Sequence, residues 1–193
     1  MRPLAMFRAA LLVAAAGTAC DRSMPTNPKL RATFDAQAAS TPDGKNFVAH
    51  LTGSNEVPGH DTRAVGQVKF QLSADGTALE YRLISADIDN VIASHIHIAA
   101  AGVNGPVVVF LFGTVPSGGG RFDGVLAEGT VSAANFVGPL AGQPFSALVD
   151  AIRAGNAYVN VHTNDGVAPP NTGPGDFPGG EIRGQIRTAG PTP

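Results

Sequence analysis

Two histidines stand one residue apart in the stretch SHIHIAAAGVNGPVVVFLFG (residues 94–113), and they are two of only five in the chain. A third, His162, closes the stretch AYVNVHT (residues 157–163). A neutral imidazole nitrogen binds copper or zinc at about 2.0–2.1 Å, whereas calcium and magnesium prefer oxygen. Side chains on a strand alternate between faces, so His95 and His97 share one face while Ile96 and Ile98 take the other. The same parity sets Val159 and Val161 on one face of the later strand and Tyr158, Asn160 and His162 on the opposite one. Same-face neighbours lie roughly 6.5–7 Å apart, close enough for their imidazoles to converge on one ion. The expected site is His95, His97 and His162, with copper before zinc because copper(II) binds such nitrogen sites more tightly. It requires the two strands to be neighbours. Binding should fade below about pH 6.5, where free imidazoles take up protons.

The same residues admit a plainer reading, since an exposed strand face accepts histidine without penalty. His50 and His60 are weaker candidates for a fourth ligand. Glu56-Val57-Pro58, followed by Gly59, reads as a structural turn rather than an acidic loop. Glu181, Arg183 and Gln185 alternate along the last strand and read as a solvated strand face. No serine, cysteine or carboxylate pair falls in a nucleophile or acid–base pattern, and no glycine-rich phosphate loop follows a strand.

The elements that must position the histidines follow from the rest of the chain. Its 193 residues suit one domain of ordinary size. A net charge of −2 with 15% charged residues offers no basic face for a phosphate backbone, which argues against nucleic acid as a partner. The 24 glycines and 15 prolines, set between apolar runs, indicate short strands joined by many turns. Alternating segments predict strands at 47–53, 66–73, 78–85, 91–99 and in 120–132, and two more at 157–163 and 180–188. Ser73-Ala74-Asp75-Gly76 predicts a hairpin. The valine run of 106–113 is apolar on both faces and reads as a central strand of a two-sheet core. Phe145, Leu148, Val149 and Ile152 have helical spacing, with Pro144 before them and Gly155 after, which predicts one amphipathic helix. The fold class is therefore all-β, a Greek-key antiparallel β-sandwich of immunoglobulin-like or superoxide dismutase-like kind, with one short helix.

The N-terminus reads as an export signal over residues 1–19: Arg2 and Arg8, the apolar run 9–16, then the small residues Gly17-Thr18-Ala19. The apolar run is too short to span a bilayer. Cys20, the single cysteine, follows directly, so no intramolecular disulfide can form. The run LLVAAAGTAC resembles a bacterial lipoprotein signal, with Gly17 where that pattern usually has leucine. The resemblance implies lipidation of Cys20 and a membrane anchor in the periplasm or on the cell surface. An ordinary cleaved signal would give a soluble secreted protein. Residues 20–45 then serve as anchor and tether, residues 46–188 as the folded domain and 189–193 as a tail.

FVAHLTGSNEVPG, GTALEYRLISADIDNVIASHIHIAAAGVNGPVVVFLF and GNAYVNVHT…PGGEIRGQI, in that order, resemble the CHRD domain, a module repeated in chordin and found alone in exported bacterial proteins. The resemblance implies an extracellular β-sandwich binding module and no enzymatic reaction. In chordin such modules belong to a protein that sequesters growth-factor ligands. A weaker resemblance, through Ser94-His95-Ile96-His97 and Val161-His162-Thr163-Asn164-Asp165, is to copper/zinc superoxide dismutase. The chain lacks that family's cysteine pair, zinc loop and bridging histidine. The expectation is thus an exported binding module whose partner is a metal ion held by the three histidines. The alternative is a metal-free adhesion or assembly module that binds extracellular protein, with a dismutase-like enzyme a distant third.

Overall fold

The computed structural model describes residues 44–190. The expected signal, Cys20 and nearly all of the tether lie outside the described residues. The described residues form nine strands: β1 (Asn46–Thr52), β2 (Val65–Leu72), β3 (Ala78–Asp89), β4 (Val91–Ile98), β5 (Val107–Phe112), β6 (Arg121–Ser132), β7 (Ala157–Thr163), β8 (Ile182–Gln185) and β9 (Arg187–Thr188). One α-helix, α1 (Ser146–Arg153), lies between β6 and β7. Alternating apolar residues dictate most of these strands. In β2 and β3, Val68, Phe70 and Leu72 pair with Leu83, Tyr81 and Leu79 along one core-facing side.

The strands run in the order β5-β4-β7-β8-β1-β2-β3-β6, with β9 on β1, and every pairing is antiparallel. This is one sheet curled until its ends, β5 and β6, lie against each other. The two layers expected of a sandwich are its two halves. Tyr81 of β3 crosses between them and donates its hydroxyl proton to the carbonyl of Leu111 in β5 (2.6 Å).

The predicted helix forms with its expected stripe: Phe145, Leu148, Val149 and Ile152 are buried. It ends in a Schellman turn. Gly155 at φ +72 lets Asn156 N–H reach Ala151 O (2.8 Å) and Gly155 N–H reach Ile152 O (3.0 Å).

Two expectations are corrected. The valine run, β5, is an edge strand and not a central one. Val108 and Val109 are nonetheless fully buried, because the segment after β6 folds over the edge and Val137 N–H bonds to Val108 O (2.9 Å). Phe110, which points outward, is exposed. The most completely buried strand is β7, between β4 and β8, every residue of which is buried. Its core face is Val159 and Val161. Its other face, carrying Tyr158, Asn160 and His162, is covered by the loops of residues 99–106 and 164–181.

Those loops are held by the residues expected to form a solvated strand face, and this is the second correction. Glu181 is fully buried and accepts from Thr62 Oγ1 (2.6 Å), Thr163 Oγ1 (2.7 Å) and Gly175 N–H (2.9 Å). Arg183 is 1% exposed. Its guanidinium donates to Asn104 Oδ1 (3.0 Å), Val103 O (2.7 Å) and Ala100 O (3.4 Å), and lies 3.3 Å from the centre of the Tyr158 ring. Gln185 continues the row by donating to Ala99 O (2.9 Å) and Gly155 O.

Candidate metal centre

β4 and β7 are hydrogen-bonded neighbours, which meets the condition set by the strand-parity reading. Their register pairs Ala93 with His162, His95 with Asn160 and His97 with Tyr158. His95, His97 and His162 therefore converge, and one ligating nitrogen from each lies within 4.8 Å of the others. Nitrogens around a single ion at 2.0–2.1 Å stand about 3.3–4.1 Å apart, so the rings must close by roughly an ångström. No other group of three such side chains meets this spacing among the described residues. His50 is exposed on β1, and His60 stacks on Phe177 (3.9 Å); neither joins the group.

Backbone carbonyls set which nitrogen of each ring is free. His97 Nδ1 lies 2.8 Å from Gly105 O and His162 Nδ1 lies 2.8 Å from Pro178 O. A carbonyl only accepts, so both Nδ1 atoms carry the proton and both Nε2 atoms offer a lone pair. Backbone carbonyls anchor metal-bound histidines in this way. His162 Nε2 is 3.0 Å from His95 Nδ1, which donates to it. His95 Nε2 is then a second lone pair, buried and without a partner among the described residues. His97 Nε2 is 3.0 Å from Asn160 Oδ1.

The loop after β4 explains the Asn-Gly-Pro of the sequence. Gly105 presents its carbonyl to His97 and its N–H to Tyr158 Oη (3.2 Å). A Cβ there would run into the carbonyl of Ile98, so only glycine lets the loop close on the strand. Aromatic rings wall the site. Tyr158 stacks flat on His97 with centroids 4.7 Å apart, and Phe110 stands edge-on to His95 at 4.6 Å.

Burial holds the three imidazoles neutral. His95 is pushed down to about 4, by desolvation first and then by the neighbouring His162 and His97. His97 and His162 are lowered too, again chiefly by burial, against the raising pull of their hydrogen bonds. Loss of binding near pH 6.5, expected of free imidazoles, should accordingly move to lower pH.

The turn at Glu56-Val57-Pro58 also holds a buried carboxyl that its reading as a structural turn did not anticipate. Glu56 is 7% exposed, Oε1 has no partner among the described residues, and the Asn160 amide reaches the same carboxyl. Burial lifts it to about 7, against the lowering pull of Arg183.

These shifts set the pH dependence of the metal-free protein. A histidine with a depressed pKa stabilises the fold above its unfolded value, about 6.5, and that stability is lost as pH falls through the folded value. Glu56, raised, does the reverse: its contribution is complete in acid and lost as pH rises through about 7. Below about pH 6.5 three histidines, each with a lowered pKa, oppose one carboxyl. Urea midpoints measured at pH 7 and pH 4.5 should therefore show the acid sample to be the less stable. An equal or higher midpoint in acid would mean that the imidazoles are not held neutral.

Together the sheet and its covered strand face define an all-β module that carries a buried imidazole cluster. The family model of the CHRD domain matches residues 47–186, and the chain belongs to that family. No curated protein and no solved structure matches the chain.

Proposed function

We propose that this CHRD module is an extracellular-type binding protein that holds one transition-metal ion, copper before zinc, through His95, His97 and His162. Binding, not catalysis, is its role. Export and lipid anchoring at Cys20 belong to the same reading and would place the module in the periplasm or on the cell surface. The observation that carries the metal reading is the arrangement of lone pairs. Two rings are fixed through Nδ1 on backbone carbonyls, which leaves Nε2 unprotonated, the third has a buried lone pair with no partner among the described residues, and one nitrogen of each ring lies within 4.8 Å of the others. An all-imidazole donor set suits copper(II) and zinc and is a poor fit for calcium or magnesium.

A second reading, recognition of extracellular protein without metal, draws on the outer face of the opposite half of the sheet. There Val65, Ile84 and Val125 are exposed on the adjacent strands β2, β3 and β6, with Ile84 directly opposite Val125. One titration separates the two. The wild-type protein is expected to take up about one copper(II) per chain, and the His95→Ala/His97→Ala protein to bind at least about tenfold more weakly, some 1.4 kcal/mol. If the double variant folds and binds copper as tightly as wild type, the metal reading fails and the protein-binding reading stands.

A further inference from the structure

Resting on that metal reading, we propose that Glu56 is the buried counter-charge of the site and that Asn160 links the two: a cation on His97 Nε2 turns the Asn160 amide, and Glu56 releases one proton. Glu56 and Asn160 are then positioning residues, outside the ligand set.

Hydrogen-bond logic leads there. Because His97 Nδ1 donates to Gly105 O, the neutral ring has only a lone pair at Nε2, and a lone pair needs a donor. The two ends of the Asn160 amide have the same shape, so the network decides which faces which neighbour. With His97 neutral and the site empty, the NH2 must face Nε2, which turns the carbonyl oxygen toward Glu56. Glu56 can meet that oxygen only as a protonated acid.

The opposite arrangement has Oδ1 3.0 Å from His97 Nε2 and Nδ2 on the Glu56 side. It suits a positive charge at Nε2 and a carboxylate at Glu56. The step balances without electron transfer: the cation takes the Nε2 lone pair, the Glu56 O–H bond breaks, and the proton leaves to solvent.

The surroundings of Glu56 fit this role. Arg183 of β8 faces it with a charge fixed by loop carbonyls, Asn160 faces it from β7, and the Val57 backbone hydrogen-bonds to it. From the fourth side comes Gly180, at φ +130. A Cβ there would collide with Glu56 Oε1 and stand 2.8 Å from Asn160 Nδ2, so the missing side chain leaves the amide room to turn. Burial favours the protonated acid while the site is empty, and a nearby cation reverses that preference.

Calorimetric titration of the full chain with copper(II), in buffers of different ionisation enthalpy, counts the protons released. At pH 6 the wild type should release close to one more proton per ion than Glu56→Gln, and the difference should vanish by about pH 8.5, where Glu56 is already ionised. Glu56→Gln should also bind about tenfold more weakly at the higher pH. A second measurement needs no variant: the Glu56 carboxyl carbon signal should move to its ionised position when the diamagnetic ion zinc(II) is added at pH 6. If zinc binds while that signal stays at its protonated position, or if both proteins release equal numbers of protons, the link through Asn160 is wrong although the histidine site stands. If the wild type binds neither ion, the metal reading itself fails and this proposal with it.

Discussion

Ile96→Asp is expected to leave no folded protein at room temperature. Ile96 is fully buried on the core face of β4, opposite Val159 of β7 and Val109 of β5, in the part of the sheet that holds all three histidines. A carboxylate there would be desolvated with no donor within the apolar cluster, at a cost of more than about 4 kcal/mol. A domain of this size has roughly 5–15 kcal/mol in total. Circular dichroism and one-dimensional NMR of the purified variant check the outcome, and dispersed methyl signals would contradict it. His97→Ala, one residue away, should cost only about 1–3 kcal/mol, because it leaves Gly105 O and Asn160 without a partner but no charge in the core.

Arg183→Ala should be the most damaging substitution outside the core, at about 3–5 kcal/mol. It removes a fully buried cation and leaves the carbonyls of Val103 and Ala100 and the side chain of Asn104 without their donor. Its effect should also reach the site. The loop it holds carries Gly105, whose carbonyl orients His97, just as the loop fastened by Glu181 carries Pro178, whose carbonyl orients His162. Chemical denaturation measures the first effect. Copper titration of the folded fraction measures the second, and an Arg183→Ala protein of wild-type stability would show that the buried guanidinium is dispensable.

What could be read from the sequence was local. Strand alternation assigned Ile96, Val159 and Val161 to the core and His95, His97 and His162 to the other face, and the helix was evident from Phe145, Leu148, Val149 and Ile152. Period two states that His162 is off the core face but not that a loop covers that face. The cover depends on contacts between distant parts of the chain: Arg183 reaches Asn104 across 79 positions, and Glu181 reaches Thr62 across 119. Nothing in Glu181-x-Arg183-x-Gln185 distinguishes a row of buried tethers from a wet strand face, since both alternate. Glu56 was hidden for the same reason, as its neighbours Asn160 and Gly180 arrive from the far end of the chain. The valine run misled in the other direction, because apolarity on both faces shows that a strand is covered and not whether sheet or coil covers it.

The flat contact between Tyr158 and His97 has an optical consequence. The chain contains two tyrosines and no tryptophan, so its ultraviolet emission comes from Tyr81 and Tyr158. One of these two chromophores lies ring to ring against His97, with Arg183 on its other flank. Whatever occupies His97 Nε2 therefore alters a fluorophore already in van der Waals contact with it. Copper(II) bound there, with its open d shell, would quench the excited ring, whereas closed-shell zinc would leave it bright. On the proposed metal reading, tyrosine emission would serve as an internal, label-free gauge that tells the two ions apart.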